Sequence, residues 1–364
     1  MKRYLIIGAG AIGASLAAQF ELNGIPYRLF GRGEQIRHIQ AHGIRYVRPE
    51  GTRSLRLQAC ADRSELALTQ HDRLIFTTKT QDLERACADW AWLPVPGDGP
   101  ARTASGLPVL TPQNGMAAER IALRWFSQVY GVSVNTPARY TELGQIVVGG
   151  DPEPGLMVVG RFPQGEDTLT AEIAADLCQA GYLAEAQPDI LRWKAAKLIN
   201  SVRNNALDLF EGPAGLLQAY AAELAQEAMA VFGARGIAPA RAQARRQRVS
   251  HWGIAPGCGI EPGQQSTWQS LARGASHEVD FLNGEVVLLG RLHGVATPFN
   301  QAIQQAIGQL CQSSHSAPGG AHQGVCLGQV ESLFAVAREL AAGTSGPGRR
   351  AAPVGQPATQ TGSW

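Results

Sequence analysis

The stretch that decides the fold is Gly8-Ala9-Gly10-Ala11-Ile12-Gly13, which follows the apolar run Arg3-Tyr4-Leu5-Ile6-Ile7 and opens an alanine-rich apolar segment reaching to about residue 23. Strand, glycine turn and helix, with a second strand over 26 to 31 (PYRLFG), make a β-α-β spacing. Each glycine of G-x-G-x-x-G has its own task. Gly8 permits the tight turn, Gly10 removes a Cβ so that a pyrophosphate can approach the backbone, and Gly13 lets helix and strand pack closely. The N–H groups at the helix start then receive phosphates. In this setting Gly8, Ala9, Gly10, Ala11, Ile12 and Gly13 are candidate dinucleotide-binding residues.

The choice of nucleotide falls to the end of the second strand, where an Asp or Glu commonly accepts hydrogen bonds from the ribose hydroxyls. Here the sequence reads Phe30-Gly31-Arg32-Gly33. A guanidinium in place of a carboxylate suits a 2′-phosphate, so Arg32 points to NADP(H).

Outward from this unit, strands are expected at 73 to 78 and 107 to 111, a loop at 94 to 106, and an antiparallel hairpin over 144 to 162 with a Gly/Pro turn. From about 170 the apolar spacing becomes helical, with helices over 170 to 180, 189 to 211, 215 to 236, 264 to 273 and 276 to 293. This predicts a dinucleotide-binding domain over 1–168 and a helical substrate domain over 169–312. Beyond these lies a low-complexity tail over 313–364 carrying one helix at 325–341, with 343 to 364 disordered.

Composition agrees with a two-domain globule. The 364 residues exceed one ordinary core, hydrophobic residues make up 45%, and mean hydropathy is −0.11. Lys+Arg 32 against Asp+Glu 30 leaves a net charge of +2, which gives no global attraction to nucleic acid or to an anionic membrane. No stretch approaches a membrane span, and six scattered cysteines without a C-x-x-C pair indicate a reducing compartment, so a cytoplasmic protein is expected. The basic run Arg241, Arg245, Arg246 and Arg248 lacks interleaved aromatics and reads as a solvated face. His38 and His42 stand at i, i+4 without a visible third ligand, and no metal is expected.

Further residues recur in a familiar order: Thr78-Lys79 after one strand, Gln113-Asn114-Gly115 after another, Trp193-x-x-x-Lys197 on a helix, and Glu278-Val279-Asp280-x-Leu282-Asn283-Gly284 late in the chain. Together with the glycine turn, over about residues 2 to 305, this set resembles the ketopantoate reductase family. The resemblance implies an α/β Rossmann domain with a parallel sheet, followed by an all-helical domain resembling that of 6-phosphogluconate dehydrogenase, with the active site between them. It further implies NADPH-dependent reduction of 2-dehydropantoate, with Lys197 as catalytic acid. Ser266 and Glu278 match the family's substrate-binding serine and glutamate, and Asn114 its nicotinamide-side asparagine. Lys79 ends the strand on the cofactor side.

Ser201 and Asn205 follow Lys197 at i+4 and i+8 and share its helix face, which makes them candidate substrate contacts. Lys194 competes with Lys197 for the catalytic role. The family usually carries Asn where this chain has Ser201 and Gly263, and these departures bear on the substrate more than on the reaction. The alternatives are a reductase of another keto or hydroxy acid and a non-catalytic NADP(H)-sensing protein. A small-molecule keto acid is the expected partner, and a homodimer the assembly to look for.

Overall fold

The computed structural model describes residues 2–97, 101–241, 249–261, 263–314 and 325–344. Arg245, Arg246, Arg248 and the tail from 345 onward lie outside the described residues. The chain begins β1 (Arg3–Ile7), α1 (Ala11–Leu22), β2 (Tyr27–Phe30), α2 (Gly33–His42), the hairpin β3 (Ile44–Arg48) and β4 (Gly51–Leu55), then β5 (Ala59–Cys60), β6 (Asp72–Phe76) and α3 (Thr80–Ala91). A small pair, β7 (Pro94–Val95) and β8 (Arg102–Thr103), precedes β9 (Pro108–Thr111), α4 (Ala118–Leu123) and β10 (Gln128–Asn135). Then come β11 (Ala138–Arg139), β12 (Gln145–Val148), β13 (Gly150–Asp151), β14 (Leu156–Arg161), α5 (Thr168–Gln179) and β15 (Leu183–Ala186).

Eight strands form one sheet in the order β15-β14-β10-β9-β6-β1-β2-β5. Strands β5, β2, β1, β6, β9 and β10 are mutually parallel; β14 runs antiparallel to β10 and parallel to β15. The chain leaves β1 toward β2 on one side and later returns to β6 on the other. The carboxyl end of β1 is therefore a topological switch point, where open α/β sheets bind ligands. Strands buried on both faces need continuous apolar runs, which is what 4 to 7 and 74 to 76 supply.

The expected hairpin over 144 to 162 does not form. β12 leaves the large sheet and pairs in parallel with β3, about 100 residues earlier, in a second sheet ordered β11-β12-β3-β4, while β14 pairs with β10. Both segments carry the apolar character of a strand, but their partners are set by the distant β3–β4 hairpin. That small sheet buries Tyr46, Ile146 and Val148 against α1, where Gln19 donates to the Tyr46 hydroxyl at 2.7 Å.

Helix α5 packs on the large sheet rather than in the helical half. Its Asp176 accepts from Tyr4 Oη (2.5 Å), Lys2 Nζ (2.6 Å) and Arg73 Nη1 (3.1 Å), tying it to β1 and β6. The sheet half thus runs to Ala186, past the boundary expected at 168, because β15 adds an edge strand after α5.

The helical half consists of α6 (Ile190–Leu209), α7 (Ala214–Ala234), a short strand β16 (Gly253–Ile254) that pairs with β13, α8 (Ser266–Ala272), a 3-10 turn at Val279–Phe281, α9 (Asn283–His293), α10 (Pro298–Ser314) and α11 (Val330–Thr344). α10 is absent from the sequence reading, although Phe299, Ala302, Ile303, Ala306, Ile307 and Leu310 keep the three- and four-residue apolar spacing of a helix and pack in the helical core. The late helix begins at Val330 rather than 325. Its Val330, Leu333 and Ala337 join the same buried cluster as Leu198, Val202 and Leu224. α6 carries the chain from the sheet into this core.

Candidate active site at the strand ends

The glycine turn has the geometry that close packing demands. Gly8 takes φ +122°, a conformation that side chains disfavour. A Cβ on Gly13 would lie 1.9 Å from the Gly8 carbonyl oxygen and 2.4 Å from Thr77 Oγ1, so only glycine lets α1 start this near the sheet. A Cβ on Gly10 would meet nothing within 4 Å. The absence of a side chain there answers no protein contact; it leaves space in front of the Ala11 and Ile12 amides that open α1.

Across the switch point, the ends of β6 and β9 present unpartnered acceptors. Gln113 is anchored, its amide donating to the carbonyls of Phe76 (2.6 Å) and Thr78 (3.0 Å). Asn114 Oδ1 and Thr78 Oγ1, by contrast, are buried with no hydrogen-bond partner among the described residues. Buried polar atoms are seldom left so, and at this position they fit a ligand carboxamide or hydroxyl. The turn and these atoms together fit a nicotinamide dinucleotide.

Lys79 faces the helical half. Its amine donates to Ser270 Oγ at 3.0 Å and to the Ser276 carbonyl, and burial holds its pKa below the usual lysine value. The neighbouring Thr80 donates through N (3.0 Å) and Oγ1 (2.8 Å) to Glu278 Oε1, so Glu278 caps the start of α3 from across the cleft. The same segment presses on the turn after β9: a Cβ on Gly115 would lie 2.3 Å from the Phe281 carbonyl oxygen, and Gly115 has φ +79°. Glu278, Lys79 and Asn114 are thereby gathered at one mouth.

On α6 the two lysines separate sharply. Lys194 is 2% exposed and forms an ion pair with Glu119 of α4, which is fully buried. Its amine also donates to the Gln113 carbonyl at 2.9 Å, which fastens α6 to the end of β9 beside Asn114. Lys197, one turn further, is half-buried. Ser201 is half-buried and its hydroxyl donates to the Lys197 carbonyl at 3.2 Å.

Asn205 lies in the core, 4% exposed. It donates to Asn283 Oδ1 (2.7 Å), Asn283 donates to Asn300 Oδ1 (3.0 Å), and Asn300 donates to Glu227 Oε2 (2.7 Å). Its neighbour Asn204 instead reaches Gln265 at 2.7 Å. Ser266, at the exposed start of α8, follows that glutamine, and Gly263 sits three residues earlier with φ +81°.

Beside the glycine turn lies a cavity of about 410 Å³ lined by Gly8, Gly31, Arg32, Arg63, Asp89 and Trp90 among others. Arg32 is largely exposed there, its Nη1 3.9 Å from Asp89 Oδ2. Arg63 and Asp89 escaped the sequence reading. Asp89 lies on α3 without any motif around it, and Arg63 follows a strand of only two residues. The rings of His38 and His42 lie 4.9 Å apart between centres with their planes tilted by 51°, and no group of three or more metal-ligating side chains occurs among the described residues. No helix among the described residues is long and apolar enough to cross a membrane.

A parallel sheet with a glycine-cleared switch point, joined to a helical half whose Glu278 reaches the start of α3, is the layout of a two-part dinucleotide-binding protein. Residues 4–164 match the sequence model of ketopantoate reductase PanE/ApbA, and residues 189–310 that of ketopantoate reductase PanE/ApbA C terminal. The chain belongs to the ketopantoate reductase family of oxidoreductases. Among its relatives, the 2-dehydropantoate 2-reductase of Pyrococcus horikoshii is 26% identical over 313 residues, covering 82% of this chain and 94% of the relative. That of Archaeoglobus fulgidus is 26% identical over 314 residues, covering 83% and 96%. Of solved structures, D-mandelate dehydrogenase in ternary complex with NADH and anilino(oxo)acetate superposes with a TM-score of 0.72 at 20% identity, covering 86% of this chain and 99% of the other. A PanE/ApbA family ketopantoate reductase from Ralstonia eutropha JMP134 gives 0.66 at 22%, covering 86% and 99%. These structural likenesses speak for the fold.

Proposed function

We propose that the chain reduces a 2-keto acid with NADPH, 2-dehydropantoate in first place, with Lys197 as general acid. The observation that supports this reading is the pair of buried, unpartnered oxygens Asn114 Oδ1 and Thr78 Oγ1 beyond the ends of β9 and β6, Thr78 lining the same cavity as Gly8: Asn114 Oδ1 is an acceptor that suits the amide of a nicotinamide carboxamide. Gly8 to Gly13 would hold the pyrophosphate, Arg32 the 2′-phosphate and Asn114 the nicotinamide end. The bound dihydronicotinamide supplies the hydride.

The chain's own residues do the rest. Lys197 stands on the helix that Lys194 fastens to the end of β9, and it gives its proton to the alkoxide oxygen that develops as the ketone is reduced. Glu278 accepts a hydroxyl of the substrate; to do so it shares or exchanges its bonds from Thr80. Ser266 and Ser201 complete the polar lining.

Replacement Lys197→Ala is expected to lower kcat roughly 10²-fold while NADPH affinity, followed by fluorescence, stays within about twofold. Unchanged turnover would remove Lys197 from the mechanism. A second reading, reduction of a different 2-keto acid, draws on Ser201 and Gly263, which replace the family's usual asparagines. NADPH oxidation measured with 2-dehydropantoate alongside linear, branched and aryl 2-keto acids separates the two. A clear preference for a substrate other than 2-dehydropantoate would establish the second.

A further inference from the structure

We propose that Arg63 is a second specificity-determining residue for the cofactor, forming with Arg32 a two-guanidinium clamp on the 2′-phosphate, and that Asp89 is the counter-ion which this phosphate displaces. The proposal rests on the NADPH reading above and extends it to residues outside the glycine turn.

The topology brings the two arginines together. β2 and β5 are parallel neighbours, with Leu29 opposite Ala59 and Phe30 opposite Cys60, and Gly31 N donates to the Cys60 carbonyl at 3.3 Å. Chain leaving the carboxyl end of β2 and chain leaving the carboxyl end of β5 therefore run out at the same edge. Arg32 and Arg63 are the second and third residues past those ends, and both line the cavity beside Gly8 and Gly31. Arg63 is held by the turn it begins, at Arg63–Glu65, where the Asp62 carboxylate accepts from Ser64 N at 2.8 Å.

Asp89 ties the pair. Its carboxylate lies 3.9 Å from Arg32 Nη1 and 3.4 Å from Arg85 Nε, and its backbone carbonyl accepts from Arg63 Nη1. A guanidinium carries five N–H donors, so one bond to a carbonyl leaves Arg63 capacity for an anion. Phe30 and Trp90, packed edge to face at 5.2 Å, give the cavity an apolar lining as well. An apolar lining, two guanidiniums and a small volume suit an adenosine carrying a 2′-phosphate. With the phosphate bound, Arg32 has a stronger partner than an acid 3.9 Å away, and the Asp89 charge becomes a repulsive neighbour.

The test uses fragments, so that binding is read without turnover. Calorimetry with 2′,5′-ADP and with 5′-AMP on the full chain compares the wild type with Arg63→Ala, Arg63→Lys, Arg32→Ala and Asp89→Asn. The wild type is expected to prefer 2′,5′-ADP. Arg63→Ala should lower 2′,5′-ADP affinity about tenfold or more with 5′-AMP affinity little changed, and Asp89→Asn should raise 2′,5′-ADP affinity a few-fold. Loss with Arg32→Ala but none with Arg63→Ala overturns the clamp and spares the NADPH reading. Equal loss of both fragments in Arg63→Ala and in Arg63→Lys makes Arg63 a purely structural residue and overturns the clamp as well. A wild type that binds 5′-AMP as well as 2′,5′-ADP overturns the NADPH reading itself, and Asp89 then becomes the acceptor for free ribose hydroxyls.

Discussion

The glycine turn between β1 and α1 and the long helix α6 are positioned by opposite means. At the turn the site is made of missing atoms: Gly13 has no Cβ because the Gly8 carbonyl stands 1.9 Å from where it would be, and Gly10 has none although nothing protein-borne would touch it. On α6 the site is made of partners. Lys194 and Lys197 are the same residue type one turn apart, and what separates them is Glu119, 75 positions away in sequence. A site built from backbone geometry is local and repeats its spacing. A site built by sorting side chains depends on contacts that no spacing announces.

The largest effect should come from breaking that sorting. Lys194→Met leaves the Glu119 charge buried without its cation, which costs about 3–5 kcal/mol and should lower Tm by roughly 10 °C. Adding Glu119→Leu should restore much of the loss, since a buried pair replaced by apolar groups of similar volume is close to neutral. If Lys194→Met melts like the wild type, the ion pair does not anchor α6, and the contrast with Lys197 collapses.

The turn can be broken more gently. Gly13→Ala places a methyl against a backbone oxygen that cannot swing away and should cost about 1–3 kcal/mol. Gly10→Ala, at φ −78°, should leave Tm within about 1 °C while weakening cofactor binding, because its methyl enters only the space left for the pyrophosphate. Thermal melts and fluorescence titration of the pair check this. Equal destabilisation would mean that Gly10, too, serves packing alone.

These contrasts explain which parts of the molecule were legible. β1, α1, β2, β6 and β9 announce themselves through short apolar runs and glycine spacing, and the switch point follows from their order. The partner of 145 to 148 could not be read, since a strand's alternation is the same whether it pairs with a neighbour or with β3 a hundred residues back. The edge strand β15 was hidden for a similar reason: helix α5 looks like the helices after it, and what assigns it to the sheet is Asp176, buried under Tyr4 and Arg73, together with Ile173 and Leu177 in the sheet's core. Asn205 shares the i, i+4, i+8 series with Lys197, yet helical period fixes a direction and not a destination. Its destination is Asn283. Arg63 and Asp89 had no signal, because the two-residue β5 that brings Arg63 to Arg32 is too short to register.

The smallest test concerns the far end of α6. Asp208 is partly buried and accepts a hydrogen bond from the Gln265 backbone, beside Ser266, and burial pushes its carboxyl up to about 6 from 3.8. Between roughly pH 4 and pH 6 the folded chain therefore binds more protons at this position than the unfolded chain, so its contribution to stability falls as pH rises through that window and stays low above it. Asp208→Asn keeps an acceptor for Gln265 and removes the charge. With solvent screening of a partly exposed group, the gain above pH 6 should be about 1 kcal/mol, roughly 2 °C in Tm, and it should vanish below about pH 4. Melts of both proteins at several pH values decide the matter. A loss at neutral pH would mean that α6 holds Asp208 by its charge, as it holds Lys194, and a gain that persists at low pH would mean that the buried charge is not what costs stability here.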